Sequence, residues 1–149
     1  MRRPVAVLAA LVLLAEAVGV AIVNTVLATV AENQNMSLAG LEPGAMSAGA
    51  WVMGGVSAAL LVIVALIALT AAVRDRAPGR VGRIALIVTA VAHGVLGALA
   101  VGLVGWYAFA CLMVALALLV GTLIGYGPGR RATETGGTPA PPVISPTTP

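Results

Sequence analysis

Long apolar runs separated by short polar segments form the hydrophobic pattern of this 149-residue chain. Mainly apolar residues occupy positions 5–30, 51–73 and 84–126. Each of the first two runs has the length of one membrane-spanning helix, which needs about 20 apolar residues. The third run would be about 64 Å long as a single helix, which is twice the hydrocarbon thickness of a bilayer. We therefore expect the third run to fold back on itself.

The turn in the third run is predicted at residues 102–105, a segment that begins and ends with glycine. Trp106 and Tyr107 follow directly, and aromatic side chains of this kind concentrate at the membrane–water interface. The pattern therefore predicts an all-α fold, namely an integral membrane four-helix bundle. The predicted spans cover residues 5–30, 51–73, 84–102 and 106–126.

The polar segments between and after the spans complete the predicted organisation. Residues 31–47 predict an extramembrane loop, and residues 74–83 predict a charged connector. The end of the chain consists largely of proline, threonine and glycine, and it offers little apolar surface to bury. We expect a membrane domain at residues 1–126 and a disordered Pro/Thr-rich cytoplasmic tail at residues 127–149.

The composition indicates a membrane protein. Hydrophobic residues make up 60% of the chain and charged residues only 9%, whereas soluble domains are about one quarter charged. The single cysteine, Cys111, excludes an intrachain disulfide and a cysteine-based metal cluster. The sequence contains no recognisable nucleophile–base pair, metal-ligand spacing or phosphate-binding loop. We therefore expect neither an enzyme nor a bound cofactor.

Arginine supplies all eight basic residues of the chain, and these residues flank the predicted spans. They are Arg2, Arg3, Arg74, Arg76, Arg80, Arg83, Arg130 and Arg131. With four spans all of them fall on one side of the membrane, which the positive-inside rule assigns to the cytoplasm. We therefore expect a plasma-membrane protein with both termini cytoplasmic. The arginines favour anionic lipid over nucleic acid as a partner, at roughly 1 kcal/mol per arginine near the surface.

Two ionisable residues, Glu16 and His93, lie inside the predicted spans. Counted from the arginine side, Glu16 lies about 16 Å deep and His93 about 13 Å deep, which is within one helical turn. Ionisable residues at such depths are functional candidates by default, because a charge in lipid is costly. One interpretation is a proton-handling or cation-binding site between the first and third spans.

The alternative interpretation of these two residues is structural. A hydrogen bond between Glu16 and His93 would join two helices and contribute about 1 kcal/mol. Each residue could also take a different partner, such as Thr89, Ser57 or a backbone carbonyl group.

Small residues at four-residue spacing predict where the helices pack, because membrane helices associate through close contact of small side chains. They are Ala90, Gly94, Ala98 and Gly102 in the third span, and Ala117, Gly121 and Gly125 in the fourth. These faces either close the bundle or join two copies of the chain, and we favour internal packing.

Residues 14–19, LAEAVG, resemble the first-span motif of the small multidrug resistance transporters, with Glu16 and Gly19 at matching positions. That resemblance implies a four-helix protein that couples proton entry to drug export through Glu16. The chain departs from this family in its strong charge bias and its longer first loop. As a whole the chain is more similar to the small, uncharacterised four-span integral membrane proteins of actinobacteria. That resemblance implies four spans flanked by arginines and a Pro/Thr-rich tail, and it implies no activity.

The expected function is that of a non-enzymatic accessory or structural membrane component, which assembles with itself or with a larger membrane partner. The alternative is a small proton-coupled transporter centred on Glu16 and His93. A transporter requires a water-accessible path to Glu16, whereas an accessory protein requires a dry, well-packed Glu16.

Overall fold

The computed structural model describes residues 2–34, residue 40 and residues 42–127, and in this part of the chain every regular element is a helix. The helices are α1 (Arg2–Asn33), α2 (Pro43–Arg74), α3 (Arg80–Leu103) and α4 (Trp106–Gly125). Each of them is long and apolar enough to cross a membrane. The prediction of an all-helical chain with four such helices is therefore confirmed for these residues. The predicted tail, apart from Gly127, lies outside the described residues.

The first two helices are longer than the apolar runs that predicted them. α1 continues to Asn33 and α2 already begins at Pro43, so both helices extend into the predicted loop at residues 31–47. An apolar window marks the part of a helix that suits lipid, whereas backbone hydrogen bonding continues into the polar flanks. Pro43 suits the start of α2 because its ring fixes φ and its missing N–H would be unpaired there anyway.

The other two connections each contain a residue with positive φ. Asp75 follows α2 with φ 49°, a left-handed conformation that aspartate tolerates better than most residues. The turn between α3 and α4 contains Val104 and Gly105, and Gly105 has φ 113°. Such a φ strains any residue with a Cβ atom, which explains why a glycine stands immediately before α4.

The helices form a ring in chain order. α1 packs most extensively against α2 and also against α4, and α3 packs against α4 but only briefly against α2. α1 and α3 therefore face each other across the bundle. All four helices contribute to one buried apolar core, which consists of Ala10, Leu13, Val64, Ala65, Ala68, Leu86, Ala90 and Leu119.

The contact between α1 and α2 is built largely from small residues, and we refer to it as the alanine seam. The buried residues of α1 are Ala6, Ala9, Ala10, Leu13, Ala17, Ala28 and Ala31, and four of them, from Ala6 through Ala10 and Leu13 to Ala17, alternate spacings of four and three residues. This heptad spacing keeps one face of a helix against its neighbour, and small side chains let two backbones approach closely. The buried small residues of α2 are Ser47, Ala50, Gly54, Ala65, Ala68, Ala71 and Ala72.

Two contacts fix the register of α1 and α2 near their connection. A Cβ atom added to Gly54 would lie only 2.5 Å from the Cβ of Asn24, so the two backbones approach closely here. Farther along, the Ser47 hydroxyl donates a hydrogen bond to Oε1 of Glu32 at 2.5 Å.

An ionic cluster holds the opposite end of the bundle together. Nε and Nη2 of Arg2 lie 3.0 and 3.3 Å from the two carboxylate oxygens of Asp75, and Nη2 of Arg3 lies 3.2 Å from Oδ2. The Arg2 guanidinium also lies 5.9 Å from the centre of the Tyr126 ring. The start of α1 and the ends of α2 and α4 thus meet, and we name this the arginine end. Its described arginines are Arg2, Arg3, Arg74, Arg76, Arg80 and Arg83.

Substitution of Gly54 by alanine should destabilise the protein by about 1–3 kcal/mol, because the added methyl group meets the Cβ of Asn24 in a packed seam. Gly55→Ala is the matched control, since a Cβ at Gly55 would have no atom within 4 Å. Unfolding in detergent micelles measures both variants. Equal stabilities would contradict the close approach of α1 and α2 at Gly54.

Asp75→Asn should lower the melting temperature near neutral pH, because it removes the carboxylate that Arg2 and Arg3 share. The hydrogen bond from Arg2, assisted by Arg3, holds the pKa of Asp75 below its ordinary value of about 3.9. A pKa lowered by folding stabilises the folded state above the ordinary pKa, and this contribution is lost as the pH falls through the lowered value.

The difference in melting temperature between the wild type and Asp75→Asn should therefore be constant from about pH 5 to pH 8 and should shrink below about pH 4. A series of melting curves across this range measures it. A difference that widens in acid would show that Asp75 does not stabilise the fold as a carboxylate.

Candidate functional site

Glu16 and His93 meet inside the bundle. Nε2 of His93 lies 2.9 Å from Oε2 of Glu16. Because α1 and α3 face each other across the ring, this contact joins two helices that are not neighbours. His93 is only 5% exposed, whereas the side chain of Glu16 keeps 20% of its surface exposed. The two residues that the depth estimates place at one level are thus in direct contact.

Helical spacing brings both side chains to this position. His93 lies on the buried face of α3, three residues after Ala90 and four residues before Gly97. At Gly97 the same face of α3 approaches α4, since an added Cβ would lie 2.5 Å from the methyl carbon of Met113. Glu16 lies at the edge of the buried face of α1, next to Ala17 of the alanine seam. Its longer side chain reaches across the bundle to His93.

The second ring nitrogen of His93 determines which tautomer is present. Nδ1 lies 2.8 Å from the backbone carbonyl oxygen of Thr89, one turn earlier in α3. A carbonyl oxygen can only accept a hydrogen bond, so Nδ1 carries a hydrogen and donates it. The nitrogen whose protonation can change is therefore Nε2, which faces Glu16.

The contact between Nε2 and the Glu16 carboxyl group requires one proton between them. Either a protonated Glu16 donates to a neutral ring, or a charged ring donates to a carboxylate. Both arrangements have no net charge, which suits surroundings in which a charge is costly. Loss of the proton would leave a carboxylate against a nitrogen lone pair, and a second proton would leave a net positive charge. The geometry favours a single shared proton.

Within the described residues, Glu16 and His93 form a pair that no third acidic, histidine or cysteine side chain joins as a possible metal ligand. Across residues 2–34 and 42–127, the structure contains no group of three or more His, Cys, Asp or Glu side chains that could hold a metal ion. The chemistry that the described residues support at this site is therefore hydrogen bonding and the holding of a proton.

The predicted small-residue face of α3 coincides with its contact face only at one end. Ala90 is buried and Gly94 is half-buried, but Ala98 and Gly102 are exposed. Four residues turn a helix by about 400°, so a strict four-residue spacing drifts by about 40° at each step. Three steps move Gly102 about 120° from Ala90. The buried face avoids this drift by alternating four and three residues, through Leu86, Ala90, His93, Gly97 and Ala100.

On α4 the last two residues of the predicted set face α1. A Cβ added to Gly121 would lie 3.2 Å from Cγ1 of Val5, and one added to Gly125 would lie 3.3 Å from Cβ of Arg2. Ala117 is exposed and does not belong to this contact. The close approach of α4 to α1 is therefore at the arginine end.

Sequence reasoning missed the roles of Asp75 and Tyr126. Asp75 is the single acidic residue in the arginine-rich segment 74–83, and this isolated carboxylate among guanidinium groups is the signal that could have identified it. Tyr126 follows the last helix, a position typical of an interfacial aromatic residue, and the structure also packs it against α1 and α2. Only the meeting of three helix ends shows that these residues belong to one cluster.

Comparison of the chain with protein families, with curated proteins and with solved structures finds no match. The resemblances to the small multidrug resistance transporters and to the four-span proteins of actinobacteria therefore stay predictions. What the Glu16–His93 pair does is inferred from its geometry.

Nitrogen NMR of the protein in bilayers should find Nδ1 of His93 protonated at neutral pH, because the Thr89 carbonyl oxygen accepts from it. The chain contains one histidine, so the signal is assigned without ambiguity. In the Glu16→Gln variant, His93 should keep its hydrogen on Nδ1, and the resonance of Nε2 should shift. The shift is expected because the carboxamide of glutamine donates a hydrogen bond to Nε2 but, unlike a carboxyl group, cannot transfer its proton to the ring. A ring protonated at Nε2 alone would contradict the bond to Thr89.

Proposed function

We propose that the protein is a small multi-pass membrane protein with a non-enzymatic accessory or structural role, in which the Glu16–His93 pair fixes α1 to α3. Four long apolar helices support a membrane location. Large hydrophobic side chains are exposed on all four helices, as a lipid-covered surface requires. These include Leu11, Val23, Leu60, Ile63, Val88, Val91, Val95, Val114 and Ile124.

The proposed orientation places both termini on the cytoplasmic side of the plasma membrane. Its support is the distribution of charge, because all six arginines of the described residues belong to the arginine end. The opposite end carries Glu32 and Glu42. This asymmetry agrees with an arginine end in the cytoplasm and an acidic end outside.

The observation that carries the structural role is the complete hydrogen bonding of an enclosed His93. One ring nitrogen donates to the carbonyl oxygen of Thr89, and the other bonds to Glu16. The ring therefore has no free polar atom with which to bind a substrate. The bond also links two helices that face each other across the bundle, where backbone packing alone would leave their relative position less constrained.

Assembly with itself or with a larger membrane protein belongs to the same proposal. Ala98 and Gly102 are exposed on α3, and a Cβ added to Gly102 would meet no atom within 4 Å. Another helix can approach closely at small residues of this kind. The surface thus supports an accessory role without identifying the partner.

A small proton-coupled transporter is the second candidate, and the partial exposure of Glu16 favours it. Its carboxyl group contacts an enclosed His93 on one side, while about one fifth of its side chain is accessible. In this arrangement a cation that reaches Glu16 could displace the shared proton. The transporter requires that the accessible part of Glu16 faces water and not lipid.

A double-mutant cycle with Glu16→Ala and His93→Ala tests the structural role. Each single variant should lose about 1–3 kcal/mol of stability, because it leaves a buried polar atom of its partner unpaired. The double variant should lose less than the sum, with a coupling energy of about 1 kcal/mol. A cycle of Glu42→Ala with His93→Ala is the control, since Glu42 precedes α2 at the far end and should show no coupling. Additive losses for Glu16 and His93 would refute the structural pair.

Reconstitution into liposomes distinguishes the two candidates. With an imposed pH gradient and tetraphenylphosphonium as the probe cation, an accessory protein should give equal proton and probe fluxes for the wild type and Glu16→Gln. A flux that the wild type shows and Glu16→Gln loses would support the transporter and overturn the accessory role.

A further inference from the structure

A buried hydroxyl group at the arginine end has no acceptor within the described part of the chain. Tyr126 is 8% exposed, and its hydroxyl oxygen has no hydrogen-bond partner among the described residues. Its ring packs with Ala6, Ala71 and Ala72, whose side chains offer only methyl groups. Buried polar groups in native proteins are nearly always hydrogen-bonded. This hydroxyl therefore points to an acceptor beyond the described residues.

Positive charge is in excess around the same place. One carboxylate, that of Asp75, faces the guanidinium groups of both Arg2 and Arg3. The Arg3 side chain remains 62% exposed, and Arg74 and Arg76 on either side of Asp75 are exposed as well. Arg3, Arg74 and Arg76 thus present exposed positive charge beside Asp75, and this charge attracts an anion.

The cluster lies where the apolar surface of the bundle ends. Arg2 opens α1, Asp75 follows α2 and Tyr126 follows α4, and all three helices are candidate membrane spans. Lipid headgroups occupy this level of a bilayer. The anionic acceptor that is concentrated at this level is the phosphate group of an anionic phospholipid.

We propose that the arginine end binds the headgroup phosphate of an anionic phospholipid, which accepts a hydrogen bond from Tyr126 and pairs with Arg3 in competition with Asp75. Phosphate oxygens accept from hydroxyl and guanidinium donors, and arginine binds them as it binds a carboxylate. Competition follows because Asp75 already occupies guanidinium donors of this cluster. The headgroup reaches the enclosed hydroxyl by replacing the carboxylate at those donors.

This inference rests on the proposed membrane placement and not on the role of Glu16 and His93. The double-mutant cycle of that pair concerns the interior of the bundle, whereas lipid binding concerns the arginine end. The lipid site and the structural role of the Glu16–His93 pair can therefore fail independently of each other.

The first test is a titration of the full-length protein, in zwitterionic micelles, with phosphatidylglycerol, followed by native mass spectrometry. Tyr126→Phe should weaken binding about three- to tenfold, through the loss of one hydrogen bond. Tyr107→Phe is the matched control, because it removes the same hydroxyl group from a residue that is 92% exposed at the opposite end of the bundle. This control variant should bind phosphatidylglycerol as the wild type does. Equal affinities of the wild type and Tyr126→Phe would overturn the site.

Asp75→Asn tests the competition separately from a structural role. It should strengthen phosphatidylglycerol binding by about threefold or more, because it removes the anion that competes for Arg3, while it lowers the melting temperature. Glu42→Gln removes the same charge far from the arginine end and should change neither quantity. Unchanged binding in Asp75→Asn, or equal strengthening in both variants, would overturn the competition.

Two further measurements distinguish a defined site from diffuse attraction. Arg3→Gln should weaken lipid binding several-fold more than Arg76→Gln, and equal effects would overturn the site. Sodium phosphate at the lipid concentration should neither raise the melting temperature nor displace phosphatidylglycerol. If it did either, the ligand would be free phosphate and not a lipid headgroup.

Discussion

The close approach of α1 and α2 along the alanine seam is the constraint on which the rest of the structure depends. In the membrane placement that we propose, no hydrophobic effect draws helices together, so their association depends on van der Waals contact between closely spaced backbones. At one end the seam sets Gly54 against Asn24. At the other end it brings Asp75 to the start of α1. With the register determined at both ends, Glu16 is held at one depth, and its side chain reaches across the ring to α3.

The hydrogen bonds of His93 follow from the small number of polar groups that the inside of the bundle offers as partners. His93 is enclosed, and each of its ring nitrogens needs a bond that the helices must supply. Its own helix provides the Thr89 carbonyl oxygen, and the facing helix provides Glu16. Because Nδ1 donates its hydrogen to the carbonyl oxygen, Nε2 and the carboxyl group of Glu16 share one remaining proton. The same few atoms thus account for a structural bond and for a site that holds a proton, and the environment of the accessible part of Glu16 decides between them.

For the candidate site, the sequence predicts that Glu16 and His93 lie at a common depth. Glu16 and His93 are each a fixed number of residues from the arginines that mark one boundary, and the rise of a helix converts these counts into a common level. Their contact could not be predicted, because depth says nothing about the direction in which each helix faces. The same limit applies to Asp75, whose pairing with Arg2 and Arg3 depends on the meeting of helix ends that are far apart in sequence.

The sequence by itself determined four apolar helices and the gathering of the arginines beside them, because apolarity, length and charge are properties of each segment alone. Only the tertiary structure decided which faces touch. Alanine and glycine are frequent on several sides of each helix, so spacing alone favoured Ala98 and Gly102 on α3, and both are exposed. The packed face of α3 follows the alternating spacing that a neighbouring helix imposes, and that spacing places His93 against Glu16. Contact faces are decided in the tertiary structure because they depend on the shape of the neighbouring helix as much as on the helix itself.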